Sequence, residues 1–248
     1  MSRGQTASRV ETLEEALARE VLDGRFLPGE HLGEISLAEE YKVGRNTLRA
    51  ALDGLVRRGL VTKARNRGVF VRALTAKDLG EIYELRTAIE VQASRTLAAR
   101  RFVPEAARRA FARHHGLGAR SSQRVIVEAD LAFHRAVVIG TGNARLIQAH
   151  EALGGEILLC LTQLVQGYAG VGQLAEEHAS LLAAIESGKP ASAEAAIRHH
   201  LEAATVWLVE HAKPKPGYTP NGYAAGLPRS TTSSDRGYTS SMSGLDNT

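Results

Sequence analysis

ISLAEEYKVGRNTLRAALDGLVRRG, residues 35–59, reads as a helix, a tight turn and a second helix. Leu37 and Ala38 face inward from the first helix and Val43 packs in the turn. Leu48, Leu52 and Leu55, spaced i, i+4 and i+7, give the second helix a continuous apolar face. Gly44 takes its N-cap position, where serine would be better by only about a few tenths of a kcal/mol. Arg45, Asn46, Thr47 and Arg49 then project from the helix's first turns. A helix-turn-helix reads bases with the N-terminal part of its second helix. Arginine can bind guanine O6 and N7 bidentately, and asparagine can do the same for adenine. These four residues are therefore a candidate base-reading set.

The next stretch, LVTKARNRGVFVRA (60–73), alternates in character on both sides of Asn66-Arg67-Gly68 and reads as a β-hairpin. With Arg65 and Arg67 at its tip and Gly68 in its turn, it forms a wing able to reach phosphate or the minor groove. Between Lys42 and Arg72 there are nine basic residues and one acid, Asp53, a local excess of +8 in a chain whose net charge is only +4. Such a field attracts a polyanion.

Working outward, composition divides the chain into residues 1–74, 75–212 and 213–248. The middle segment is rich in alanine and leucine, with helical periodicity almost throughout. Thr75 with Asp78 resembles a capping box opening its first helix, with Leu79, Ile82, Leu85, Ile89 and Leu97 as the apolar stripe. Further helices are predicted at about 104–115, 122–139, 143–166, 172–187 and 191–211, with Gly188 stopping the fifth and Pro190 preceding the sixth. The last segment holds four of the chain's seven prolines and no apolar period, so a disordered tail is expected. The fold class is thus mainly α: a winged helix-turn-helix (1–74), an all-α bundle of six helices (75–212) and the tail (213–248).

No apolar run approaches the length that spans a bilayer, and the N-terminus lacks the apolar core of a signal peptide. The single cysteine, Cys160, allows no internal disulfide and belongs in the core. A soluble cytoplasmic protein is expected, without membrane association.

Residues 10–73 resemble the winged helix-turn-helix domain of the GntR family of bacterial transcription regulators. The resemblance is carried by Gly24, the FLPGEHL turn with Pro28 and Gly29, Glu34, Leu37-Ala38, Val43, Arg45, Thr47, Arg49, Leu52, Leu55, Gly59-Leu60-Val61 and Arg67-Gly68. The chain departs from the family pattern at Gly44, where serine is usual, at Ala50, where glutamate is usual, and at Ile35, which is often basic. The last departure implies one DNA contact fewer.

Within the bundle, DLAFH (130–134) sets Asp130 and His134 four positions apart on one helical face. His178, among Leu174, Leu181 and Leu182, also points inward, as does His200, with Ala196, Ile197, Ala203, Ala204 and Trp207 on its face. Four ionisable groups facing one core are costly unless paired, and a shared cation resolves that cost. Three imidazoles and a carboxylate suit zinc best, with nickel, manganese or iron open if water completes a larger shell. His199 lies about 100° round its helix from His200 and is a poor candidate. His31, His114, His115, His150 and His211 have no matching partners in the pattern.

Residues 76–211 are similar to the helical FCD domain of the FadR-type branch of the same family. Asp130-x3-His134, Glu177-His178 and His200-Leu201 follow the order of its metal-binding members. The resemblance implies a metal at the floor of a small-molecule pocket that takes organic acids. Arg86 and Glu90 match an R-x3-E feature of the domain's first helix; Arg86 either meets an acidic effector or forms an i, i+4 ion pair. Asn143 matches a family asparagine near the pocket, or caps the next helix.

The function expected is a ligand-responsive regulator that binds a near-palindromic operator as a homodimer and takes a small carboxylate effector. In the alternative, the metal ion is itself the signal. An enzyme built on the Asp/His centre is disfavoured, because no further inward carboxylate offers a general base.

Overall fold

Leu13, Leu17, Ala18 and Val21 recur at helical spacing along α1 (Arg3–Leu22), and all are buried against the rest of the N-terminal module. The structure, a computed structural model, describes residues 3–118, 121–165 and 171–212. After α1 come β1 (His31–Leu32), α2 (Glu34–Glu40), α3 (Arg45–Arg57), β2 (Val61–Ala64) and β3 (Gly68–Val71). Leu37, Ala38, Leu48, Leu52 and Leu55 are all in the core, with Val43 packed against it from the turn. Gly44 caps α3 in extended conformation without a side-chain bond, and Lys42 absorbs the left-handed step of the turn at φ 52°.

β2 and β3 pair antiparallel with Val61 opposite Val71 and Ala64 opposite Gly68. Asn66 at φ 59° and Gly68 at φ 97° close the hairpin, which is the conformational reason for Asn and Gly there. The two-residue β1 adds to the other edge of β3, giving the order β1-β3-β2, a third strand not evident in the sequence pattern.

Six helices follow: α4 (Ala76–Ala99), α5 (Glu105–His115), α6 (Gln123–Gly140), α7 (Ala144–Val165), α8 (Val171–Glu186) and α9 (Pro190–Glu210). The Thr75 capping box is formed. Its Oγ1 accepts from the Asp78 amide at 3.1 Å, while Asp78 accepts from the Thr75 amide at 2.8 Å. Ser122 and Asn143 cap α6 and α7 through their side chains. Gly188 turns left-handed after α8 at φ 72°, and Pro190 begins α9.

α4 is the hub, packing on α6, α7, α8 and α9. Its buried face differs from the expected stripe at one position. Leu79, Ile82, Ile89 and Leu97 are buried, but Leu85 is 48% exposed, and Tyr83, Arg86 and Glu90 lie inside instead. Cys160 is buried, as expected. No described helix is long and apolar enough to cross a membrane. The expected disordered tail, 213–248, lies outside the described residues.

α7 meets the N-terminal module through Gly155 and an ion pair. A Cβ on Gly155 would overlap the Arg58 carbonyl oxygen just past α3, whereas one on Gly154 would meet nothing within 4 Å. Glu156 pairs with Arg72, one residue beyond β3. Two neighbouring substitutions should therefore act in opposite directions. Gly155→Ala is expected to cost about 1–3 kcal/mol by overpacking against backbone. Gly154→Ala is expected to stabilise by up to about 1 kcal/mol, the helix-interior gain of alanine over glycine. Urea unfolding of the two variants checks the pair.

Candidate metal centre and nucleic-acid interface

Two groups of residues carry chemistry, one on the surface of the N-terminal module and one inside the bundle. On α3, Arg45, Asn46 and Arg49 are exposed and Thr47 is half-buried, all on the first turns of the helix. Arg49 Nε donates to Glu34 at 2.6 Å, which ties α3 to the start of α2. Arg65 and Arg67 are exposed at the hairpin tip beside Gly68, and the Arg67 guanidinium lies over the Phe70 ring at 5.7 Å. All seven residues proposed from sequence thus lie on α3 or the hairpin.

Inside the bundle, Asp130 and His134 come from α6, His178 from α8 and His200 from α9. One ligand atom from each lies within 4.8 Å of all the others, and all four residues are buried. The sequence reading of a convergent set on three helices matches this placement.

The hydrogen-bond pattern fixes which ring atoms face inward. Nδ1 of His134 lies 2.6 Å from Glu90 Oε2, and Nδ1 of His200 lies 2.6 Å from Glu177 Oε2. A carboxylate only accepts, so each Nδ1 carries a proton, and in a neutral ring Nε2 then keeps its lone pair. Those two Nε2 atoms face each other at 3.2 Å, and His134 Nε2 lies 3.1 Å from His178 Nε2. Asp130 Oδ1 is 3.3 Å from His178 Nε2, yet neither Asp130 oxygen has a hydrogen bond. Lone pairs and an unsatisfied carboxylate turned toward one point fit a divalent cation.

The electrostatics agree. Burial pulls the His134 and His178 imidazoles down, His178 to about 3, so both keep lone pairs at neutral pH. Burial alone would raise the Asp130 carboxyl, but His134, His178 and Arg86 outweigh it and hold the group well below its usual range. Glu90 behaves in the same way under Arg86, His134 and His150. Two buried carboxylates, Asp130 and Glu90, thus lie beside one buried arginine.

Glu90 is the organiser that the pattern reading left as an ion-pair partner. It accepts from Arg86 Nε at 2.7 Å, faces His134 Nδ1, and lies 3.2 Å from His150 Nε2 on α7. Arg86 also donates to the Tyr83 hydroxyl at 3.2 Å, while its Nη2 has no hydrogen bond and lies 3.9 Å from Asp130 Oδ2. The i, i+4 pair is real, and one guanidinium nitrogen remains unsatisfied beside the cluster.

His114 and His150 stay outside the four-residue set, as the pattern implies, but both are buried, His150 against Glu90 and His114 with its ring 5.0 Å from that of His178. Asn143 is exposed, and its Oδ1 accepts from the amides of Arg145 at 3.0 Å and Leu146 at 3.3 Å, so it caps α7 rather than joining the buried set.

Residues 9–71 match the profile of bacterial regulatory proteins of the gntR family, and residues 81–203 match that of the FCD domain. A probable D-xylose utilization operon transcriptional repressor from Paenarthrobacter nicotinovorans is 31% identical over 205 residues, covering 82% of this chain and 88% of the relative. The chain belongs to the GntR family.

Two further likenesses agree. The HTH-type transcriptional repressor GlaR of Escherichia coli (strain K12) is 29% identical over 196 residues, 75% of this chain and 89% of that protein. A crystal structure of a putative GntR transcriptional regulator from Rhodococcus sp. RHA1 superposes with a TM-score of 0.71 at 25% identity, covering 83% of this chain and all of that one. This GntR-family chain, with its FCD domain, is a DNA-binding transcription regulator and not an enzyme. One structural consequence of the buried network can be read directly. Glu90→Ala leaves Arg86 buried without its partner and is expected to cost about 3–5 kcal/mol in urea unfolding. A cost under about 1 kcal/mol, the scale of an exposed pair, would mean that Arg86 finds another counter-charge.

Proposed function

We propose that this regulator is a repressor whose helical domain holds one divalent metal ion, zinc in first place, and releases operator DNA when a small carboxylate binds beside that ion. The observation that carries the reading is the meeting of Asp130, His134, His178 and His200 in one buried cluster, in a chain whose other half is a DNA-reading module. When bound, such an ion neutralises the interior carboxylate excess and attracts an anionic ligand. Glu90 and Glu177 orient His134 and His200 toward it through their Nδ1 protons. Arg86 Nη2, unsatisfied and 3.9 Å from Asp130, supplies a fixed donor for the effector's carboxylate. That both relatives above are named as repressors supports the sign of the response.

A route from pocket to DNA lies along α7. It carries His150, bound to Glu90 in the buried network, and about a turn and a half further on Gly155 and Glu156, seated on the DNA-binding module. A ligand that shifts α4 or α7 changes how that module is held, and it acts only through its different affinity for the two arrangements. The operator is read by a homodimer whose two recognition helices face near-palindromic half-sites. Arg45, Asn46, Thr47 and Arg49 contact bases, and Arg65, Arg67 and Gly68 bring the wing to the backbone. A second reading, in which the metal is itself the signal, rests on the closure of the four-ligand set. It predicts DNA affinity that follows metal concentration with no carboxylate present.

Two variants test the two halves separately. Arg49→Ala is expected to weaken operator binding by about 1–3 kcal/mol with the fold intact. Fluorescence anisotropy showing unchanged affinity removes Arg49 from the recognition set. His178→Ala is expected to lose bound metal and the carboxylate-dependent release of DNA while remaining folded. Full metal occupancy in that variant, measured by plasma mass spectrometry, breaks the four-ligand assignment.

A further inference from the structure

α5 is a polar helix, and only Ala107 and His114, seven residues apart on one face, are buried. Seven residues is two helical turns, so the two share the stripe by which α5 packs on α6 and α8. Elsewhere such a stripe carries leucine or alanine. Here the innermost position carries an imidazole that is fully buried, with neither Nδ1 nor Nε2 hydrogen-bonded. An imidazole carries at least one ring N–H in either protonation state, so a donor is always present at this position.

An unsatisfied buried donor or acceptor costs about 1–3 kcal/mol, and an apolar side chain of similar size would cost nothing of the kind. The residue therefore lowers the stability of the empty fold. Its position suggests what it gains in return. The His114 ring centre is 5.0 Å from that of His178. It is not among the four that can share one ion. Among the described residues, Arg86 Nη2, both Asp130 oxygens and His178 Nδ1 are also without hydrogen bonds around the cluster, and Ser94 Oγ on α4 is a further buried atom without one. Unsatisfied groups from α4, α5, α6 and α8 thus surround one cluster.

We propose that His114 is a ligand-contacting residue of the effector pocket, its ring N–H donating to an oxygen of the small carboxylate that binds beside the metal cluster. This rests on the metal-and-carboxylate reading above and adds to it a contact from α5. His114 and Arg86 then hold the anion from two helices, and α5 becomes a wall whose position responds to ligand.

The test uses the full chain loaded with cobalt(II), whose visible absorption reports its ligands, titrated with acetate and with inorganic phosphate. His114→Leu removes both ring nitrogens, and His114→Gln keeps an N–H donor. The expected result is unchanged cobalt affinity in both variants. Anion affinity should fall about tenfold in His114→Leu, the equivalent of one lost hydrogen bond, and be largely restored in His114→Gln. Metal-free His114→Leu should unfold at the same or higher urea concentration than the parent chain, whereas a merely structural histidine would lower it. Equal anion affinity in His114→Leu overturns the proposal. So does a parallel loss of cobalt, which would make His114 a metal ligand, and so does a cobalt spectrum in the parent chain that neither anion alters. Failure of the parent chain to bind cobalt at all is seen before any variant is made; it refutes the metal reading itself, and the His114 contact with it.

Discussion

Asp130 and Glu90 are buried in the helical domain beside one buried arginine, and the rest of the buried polar network is arranged around these two carboxylates. Glu90 is held by Arg86, His134 and His150 together, and so is fully occupied. Asp130 has no hydrogen bond, only Arg86 at 3.9 Å and imidazole nitrogens at 3.3 and 3.8 Å. Burying a carboxylate so thinly compensated is expensive. The lone pairs of His134, His178 and His200 turned toward it make the cost recoverable by a cation. Four helices contribute these groups: α4 supplies Glu90 and Arg86, α6 supplies Asp130 and His134, and α8 and α9 each supply one histidine.

The same network reaches, through α7, the DNA-reading module. Glu90 ties α4 to α7 through His150, and α7 lies against the turn after α3 with a glycine where any side chain would collide. A small displacement at one end of α7 cannot be absorbed locally, because close-packed interfaces transmit strain. The bundle is thereby both ligand pocket and lever in the proposed mechanism, with Arg72–Glu156 as its fixed point on the wing side.

Much of this was legible in the chain before any coordinates. The helix-turn-helix follows from the i, i+4, i+7 run of Leu48, Leu52 and Leu55, and the wing from alternation around Asn66-Arg67-Gly68. The Asp/His cluster was legible because Asp130 and His134 are four apart on one helix, and because His178 and His200 each sit among apolar neighbours at helical spacing. What stayed hidden depends on partners far away in sequence. His150 meets a carboxylate 60 positions earlier, and His114 faces a ring on α8; neither has a local signature. Leu85 reads as core by spacing, yet α4 is surrounded by four helices that demand Tyr83, Arg86 and Glu90 instead. Asn143 shows the opposite case, in which a purely local role, the cap of α7, accounts for the residue. The third strand, β1, is two residues long and too short to carry a period.

The central claim is that Asp130, His134, His178 and His200 together hold one divalent ion. X-ray absorption spectroscopy of the zinc-loaded full chain tests it most directly. The account predicts one ion per chain, with a first shell of imidazole nitrogen and carboxylate oxygen at about 2.0–2.2 Å and the multiple-scattering pattern of three histidines. A sulfur neighbour at about 2.3 Å, a shell with fewer than three imidazoles, or an ion stripped by a brief buffer wash would contradict it.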